Sequence, residues 1–144
     1  MVPQNLELSS SKLILIGEDD IDDQEFLKEI FSSLDASFII VFTTNGMGIL
    51  NYLDTCNDGD MPCLILLDYN MPGLTGLEIL KELKSRKRFH KIPKIIWSTS
   101  RSANYRDICL EMGANEYLVK PSNVNDLMQT CRQILDTCFP KKEA

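Results

Sequence analysis

Cys63-Leu64-Ile65-Leu66-Leu67-Asp68-Tyr69-Asn70-Met71-Pro72-Gly73-Leu74-Thr75-Gly76 is the stretch on which the reading of this chain turns. Its apolar run is too short for a helix and is bounded by turn residues, the pattern of a strand buried on both faces. Asp68 stands where that strand ends. Pro72, Gly73 and Gly76 then impose a turn, which is expected to leave Asp68 and the Asn70 backbone on a loop facing solvent.

Outward from this strand the chain alternates. Lys12 to Gly17 reads as a first strand that runs into Glu18-Asp19-Asp20. Leu27, Ile30, Phe31 and Leu34 then keep helical spacing behind Asp22 and Asp23, acids placed where the helix dipole favours them. Phe38 to Thr43 reads as a second buried strand, and Gly46 to Leu53 as a short helix weakened by Gly46 and Gly48. After the Pro72 turn, Leu77, Leu80 and Leu83 mark a helix, and Lys94 to Ser98 a fourth strand ending in Ser98-Thr99-Ser100. Tyr105, Ile108, Cys109 and Met112 give a helical face closed by Gly113. Glu116 to Val119 is a fifth strand, followed at once by Lys120-Pro121. Val124, Leu127, Met128, Cys131, Ile134, Leu135 and Cys138 mark the last helix, with Ser122 or Asn123 as N-cap and Pro140 as its stop. Five strands alternating with helices predict an α/β fold: a doubly wound five-stranded parallel sheet, order 2-1-3-4-5, in a flavodoxin-like three-layer sandwich.

A chain of 144 residues, 44% hydrophobic, fits one domain, read here as residues 12–138 between an N-terminal tail (1–11) and a C-terminal tail (139–144). The apolar run from Leu13 to Gly17 is too short for a signal-peptide core, so the expected location is cytoplasmic, without membrane insertion. A net charge of -6 argues against nucleic-acid binding. The basic run Lys81 to Lys91 reads as a solvated helix end. Cys56, Cys63, Cys109, Cys131 and Cys138 lack C-x-x-C spacing and read as reduced core thiols, and the single histidine, His90, has no neighbouring ligand for zinc.

The strand ends gather Glu18, Asp19 and Asp20 from the first, Asp68 from the third, Ser98 from the fourth and Lys120 from the fifth. Clustered carboxylates at neutral pH call for a hard divalent cation, Mg²⁺ or Mn²⁺, whose open positions accept phosphoryl oxygens. The set suits phosphoryl transfer onto an aspartate, with Asp68 as nucleophile, Lys120 neutralising charge and Ser98 donating a hydrogen bond. Taken singly, each residue has an ordinary reading: a capping cluster, an Asx turn, a strand-end hydroxyl, a solvated lysine. Only a coincidence of all four would leave the site without function.

In order and spacing these motifs resemble the receiver domain of two-component response regulators, the family of the stand-alone chemotaxis-type receivers, over about residues 12 to 138. Ile14-Leu15-Ile16-Gly17-Glu18-Asp19-Asp20 is similar to the family's acid-pair loop, with Glu18 and Asp19 as pair. Leu67-Asp68-Tyr69-Asn70-Met71-Pro72-Gly73 is similar to the phosphoacceptor loop, which implies Asp68 as acceptor and the Asn70 carbonyl as a metal ligand beside Glu18, Asp19 and Asp68. Ile96-Trp97-Ser98-Thr99-Ser100 resembles the switch-hydroxyl segment. Tyr117-Leu118-Val119-Lys120-Pro121 resembles the segment with the switch aromatic, the lysine and a proline that the family usually places after a cis bond. The resemblance also implies that Asn70 and Ser100 line the path of the water that ends the phosphoryl lifetime.

Two features depart from the family pattern: Ile21 stands where Pro is common, and the loop Ser85 to Pro93 is long and basic. The implied function is a single-domain response regulator of a phosphorelay. It takes a phosphoryl group from a sensor histidine kinase or phosphotransfer protein and signals by phosphorylation-dependent binding of a downstream protein or by phosphate shuttling. Such a protein catalyses its own phosphorylation and dephosphorylation without turning over a separate substrate. A flavodoxin-type cofactor binder would need phosphate-cradling donors where three acids stand. A haloacid-dehalogenase-type phosphatase would need a second Asp at position 70. A receiver degenerated to a binding module would lack part of the site, and nothing is missing.

Overall fold

The computed structural model describes residues 12–138, so both tails and the Pro140 stop lie outside the described residues. The elements are β1 (Leu13–Gly17), α1 (Ile21–Leu34), β2 (Ile39–Thr43), α2 (Gly46–Thr55), β3 (Leu64–Asp68), α3 (Gly76–Lys84), β4 (Lys94–Ser98), α4 (Ala103–Glu111), β5 (Glu116–Val119) and α5 (Val124–Cys138). Single 3-10 turns lie at Asp58–Asp60 and Lys87–Phe89. All strand pairings are parallel, in the order β2-β1-β3-β4-β5, as the alternation predicts.

Alternate side chains on the strands feed two apolar layers. Leu15, Ile65, Leu67 and Ile96 join Ile49, Leu53, Ile79, Leu80 and Leu83 from α2 and α3, with Cys109 from α4. Ile14, Ile16, Leu64, Leu66, Ile95 and Trp97 face Leu27, Ile30 and Phe31 of α1 and Cys131 and Ile134 of α5. The continuous apolar runs of β1, β3 and β4 are thus explained by burial on both faces, each full burial contributing roughly 1.5 to 3 kcal/mol.

Two expectations are corrected. β2 is not buried: it is an edge strand with Ile39 59% exposed, because the sheet order gives it one neighbour. In α4 Cys109 is buried, whereas Tyr105 and Ile108 are each 42% exposed; the inward face runs instead through Cys109, Leu110 and Met112. Gly113, at φ 105°, ends that helix as expected. Asn123 rather than Ser122 caps α5, its Oδ1 accepting from the Asp126 N–H at 2.9 Å. The basic loop is more than a solvated helix end: Phe89 is buried, Arg86 pairs with Asp54 at 2.7 Å, and Arg88 pairs with Asp58 at 3.0 Å and donates to the Leu53 and Cys56 carbonyls. These contacts pin residues 86–89 to the end of α2. Cys109 and Cys131 are buried thiols, while Cys56 and Cys63 are half-buried.

Gly46 reads in sequence as a weak point of α2, but its lack of a side chain is what lets the helix meet the loop after β3. A Cβ there would stand 2.5 Å from the Leu74 carbonyl oxygen, and the Gly46 N–H points to the Pro72 carbonyl at 3.4 Å. A Cβ on Gly17 would press on the far end of the flexible Met71 side chain, at 2.8 Å from its sulfur, and reach Ile49 Cδ1 only at 3.4 Å. Gly46→Ala is therefore expected to destabilise the fold by about 2 kcal/mol and Gly17→Ala by clearly less, since backbone yields less readily than a methionine. Urea unfolding of the two variants checks this, and equal losses would contradict it.

Candidate functional site

The register of the sheet assembles the site. Gly17 lies opposite Leu67 and Asp68 opposite Trp97, so Glu18, one residue past β1, arrives beside Asp68 at the carboxyl edge of the sheet. Ser98 pairs with Val119, which delivers Lys120 to the same edge, its N–H bonded to the Ser98 carbonyl at 2.7 Å. The Lys120–Pro121 peptide is trans, unlike the cis bond the family resemblance suggests.

Lys120 Nζ donates to Asp68 Oδ2 at 2.8 Å and to Glu18 Oε1 at 3.0 Å. The remaining oxygens are held by backbone, Asp68 Oδ1 accepting from the Asn70 N–H at 3.1 Å and Glu18 Oε2 from the Asp20 N–H at 3.1 Å. Asp68 does not face solvent as the turn residues suggested. It is the last residue of the central strand, only 6% exposed, because Glu18 and Lys120 close over it. Asp20 caps α1 by accepting from the Asp23 N–H, and Asp19 beside it is exposed.

Glu18, Asp19 and Asp68 each bring a carboxylate oxygen to within 4.8 Å of the others. Three hard oxygen donors, two of them buried, fit Mg²⁺ or Mn²⁺. The Asn70 carbonyl accepts no backbone hydrogen bond among the described residues, consistent with a role as fourth oxygen. Burial, followed by the Asp68 charge, raises the Glu18 carboxyl to about 7. Burial alone would lower Lys120, yet its hydrogen bond to Asp68 and the charges of Asp68 and Glu18 hold it above the ordinary lysine value.

On the other flank Ser98 is buried, and its Oγ accepts from the Ser100 N–H at 3.1 Å. Tyr117, also buried, donates its hydroxyl to the Ser100 carbonyl at 2.9 Å. The switch hydroxyl and the switch aromatic that the resemblance implies thus both hold the backbone of Ser100. Ser100 Oγ in turn accepts from the Ser102 N–H, and Ser102 caps α4.

A family model for the response regulator receiver domain matches residues 14–132. The chain belongs to this family. This receiver domain is 31% identical over 130 residues to the two-component response regulator ARR5 of Arabidopsis thaliana, the match covering 83% of this chain and 70% of that protein. Across the first curated relatives the matched stretch spans from 28% to 95% of their length. Among solved structures, it superposes on the phosphorylated cyanobacterial phytochrome response regulator RcpA with TM-score 0.82 at 27% identity, covering 93% of this chain and 98% of that one. With the Mn²⁺-bound form of response regulator Rcp1 the TM-score is 0.79 at 26% identity, covering 92% and 97%. The protein is therefore a receiver domain of two-component signalling, a family in which phosphorylation on aspartate is general and divalent metal is bound. Among the described residues no helix is long and apolar enough to cross a membrane.

Several neighbours of the receiver site were not singled out in the sequence. Asp23 Oδ2 lies 3.6 Å from Lys120 Nζ, and Gln24 Nε2 donates to the Glu18 carbonyl at 2.6 Å. Their place on the first turn of α1, three and four residues past Asp20, is the signal that could have found them. The Tyr69 ring stacks on Tyr105 at 4.8 Å between centroids and 9° between planes, joining the loop after Asp68 to α4. Nothing in their spacing announces that pair.

Between about pH 4.5 and about 7 the folded, metal-free receiver retains a proton on Glu18 that the unfolded chain has lost. Its stability should therefore fall as pH rises through that window, by on the order of 3 kcal/mol, whereas the Lys120 contribution is lost only at alkaline pH. In EDTA, Glu18→Gln should flatten the decline. Urea midpoints measured across the window check this, and an undiminished slope in the variant would show that Glu18 is not the group responsible.

Proposed function

We propose that Asp68 accepts a phosphoryl group from a phosphohistidine of a sensor histidine kinase or phosphotransfer protein. The observation that carries this reading is the convergence of Glu18, Asp68 and Lys120, three ionisable groups that share hydrogen bonds in one pocket at the edge of the sheet. One Asp68 oxygen forms the new O–P bond as the P–N bond breaks, and the donor imidazole leaves with the electron pair and takes up a proton. Glu18, Asp19, Asp68 and the Asn70 carbonyl would hold Mg²⁺ or Mn²⁺, which would neutralise phosphoryl charge. Lys120 supplies the rest from within the chain, exchanging part of its contact with Asp68 for an incoming oxygen.

Ser98 receives a hydrogen bond from Ser100 and keeps its own proton, so it can donate to the phosphoryl group. Donation that draws Ser98 inward strains its bond to Ser100 and, through the Ser100 carbonyl, the anchor of the Tyr117 hydroxyl. That shared anchor supports Ser98 and Tyr117 as a two-state element that reports phosphorylation to a downstream protein. Asn70 and Ser100, two residues past acceptor and switch hydroxyl, tune hydrolysis. In this reading residues 12–138 are the working domain, the tails lie outside it, and the chain acts in the cytoplasm by phosphorylation-dependent binding or phosphate shuttling.

Asp68→Asn should abolish labelling from a small acyl phosphate while leaving the circular dichroism of the fold unchanged, because only the nucleophilic oxygen is lost. Labelling at the wild-type rate would remove Asp68 from the role. Lys120→Ala should bind Mg²⁺ at least as tightly as wild type, its carboxylates having lost their internal cation, yet respond poorly to a phosphate mimic. A collapse of Mg²⁺ affinity in titration would make Lys120 structural instead.

A further inference from the structure

We propose that Trp97 is a positioning residue for Lys120: the face of its indole holds the ammonium on the phosphoacceptor carboxylate. Lys120 Nζ lies 4.8 Å from the centroid of the Trp97 ring, inside the range in which a cation is drawn to the ring quadrupole. Trp97 is 2% exposed and stands opposite Asp68 in the β3–β4 register, so the ring is fixed by the same strand pair that carries the acceptor. Carboxylates of Asp68, Glu18 and Asp23 and the π face together leave 14% of the lysine side chain exposed.

A purely space-filling role does not explain why the residue is tryptophan. Its Nε1–H is buried with no hydrogen-bond acceptor among the described residues, a cost that leucine or phenylalanine would not incur. What indole offers over either is the strongest π face for a cation, and the cation is present. This matters for transfer, taken from the reading of Asp68 as acceptor. Lys120 must loosen its contact with Asp68 as phosphoryl oxygens arrive, and Asp23, 39% exposed and 3.6 Å away, competes for the freed ammonium. The ring uses none of the ammonium's hydrogen-bond donors and carries no net charge. Its attraction therefore persists while the carboxylate contacts change, and it keeps Lys120 at the acceptor rather than on Asp23.

Trp97 is the only tryptophan in the chain, so biosynthetic incorporation of mono-, di- and trifluorotryptophan alters this one site. Each fluorine weakens the quadrupole with little change of shape. The logarithm of the labelling rate from a small acyl phosphate at saturating Mg²⁺ should fall steadily along the series, by about tenfold at the trifluorinated ring. Donor half-saturation and Mg²⁺ affinity should stay the same. In metal-free protein, hydrogen exchange of the Lys120 ammonium followed by ¹⁵N NMR should quicken along the same series, and Trp97→Leu should lie at or beyond its end. A flat rate with unchanged ammonium exchange would overturn the proposal, as would a rate that rises with fluorination, which would mean that the ring restrains Lys120. If unsubstituted protein is not labelled at all, the assignment of Asp68 fails instead, and the exchange series alone decides whether the ring holds the ammonium.

Discussion

The ammonium of Lys120, set between Glu18 and Asp68, is the interaction on which the working edge of this molecule depends. Two carboxylates about 5 Å apart repel by roughly 2 to 3 kcal/mol at an effective dielectric of about 20 to 40, and burial makes each charge costlier still. The sheet nevertheless forces them together, because Glu18 and Asp68 extend adjacent central strands whose register is fixed by apolar side chains on both faces. Lys120, arriving from β5, makes the meeting tolerable. Burial first, and the Asp68 charge second, still raise the Glu18 carboxyl above its ordinary value. A further cation therefore has something to gain by binding there, and a phosphoryl group that draws the ammonium away disturbs the balance of the whole pocket.

The neighbouring elements are tied to that balance by short, specific contacts. Ser98, Ser100 and Ser102 each offer a side-chain oxygen to a backbone N–H further along, carrying the end of β4 into the cap of α4. Tyr117 is fastened to the middle of this ladder, and the Tyr69–Tyr105 stack joins the loop after Asp68 to the same helix from the other side. Apart from the ring stack, few large apolar side chains anchor α4, with Cys109 its one fully buried residue. A helix held by polar stitches and one ring contact is easier to shift than α3, which buries Ile79, Leu80 and Leu83.

How far the sequence could be read follows the same physics. The three central strands were legible because burial on both faces leaves an unbroken apolar run, and Asp68 was legible because such a run ends on a charge. The site residues on strand ends could be gathered once the sheet order was inferred. β2 misled because an edge strand can be as apolar as a central one; exposure there is decided by neighbours, not composition. The α4 face misled because Tyr105 is committed sideways to Tyr69. Trp97 enters the site by packing from β4 against Lys120, a relation between elements that no local spacing encodes, whereas Asp23 and Gln24 follow Asp20 within one helical turn. The basic loop is likewise explained by contacts distant in sequence, Arg86 and Arg88 pairing with acids 32 and 30 positions earlier.

The division of the core by the sheet has a bearing on how substitutions combine. Ile16 and Leu66 belong to the layer under α1 and α5, Leu67 and Ile96 to the layer under α2, α3 and α4, and a backbone sheet stands between them. Side chains within one layer share neighbours and can relax into each other's voids, so paired truncations there are coupled. Truncations on opposite layers have no common cavity and should combine by simple addition. The molecule thus carries two nearly independent reservoirs of packing energy, and drift in one helical layer leaves the other free to vary. Their common boundary is the sheet whose edge holds Asp68, so that carboxylate is the place where errors in both layers are summed.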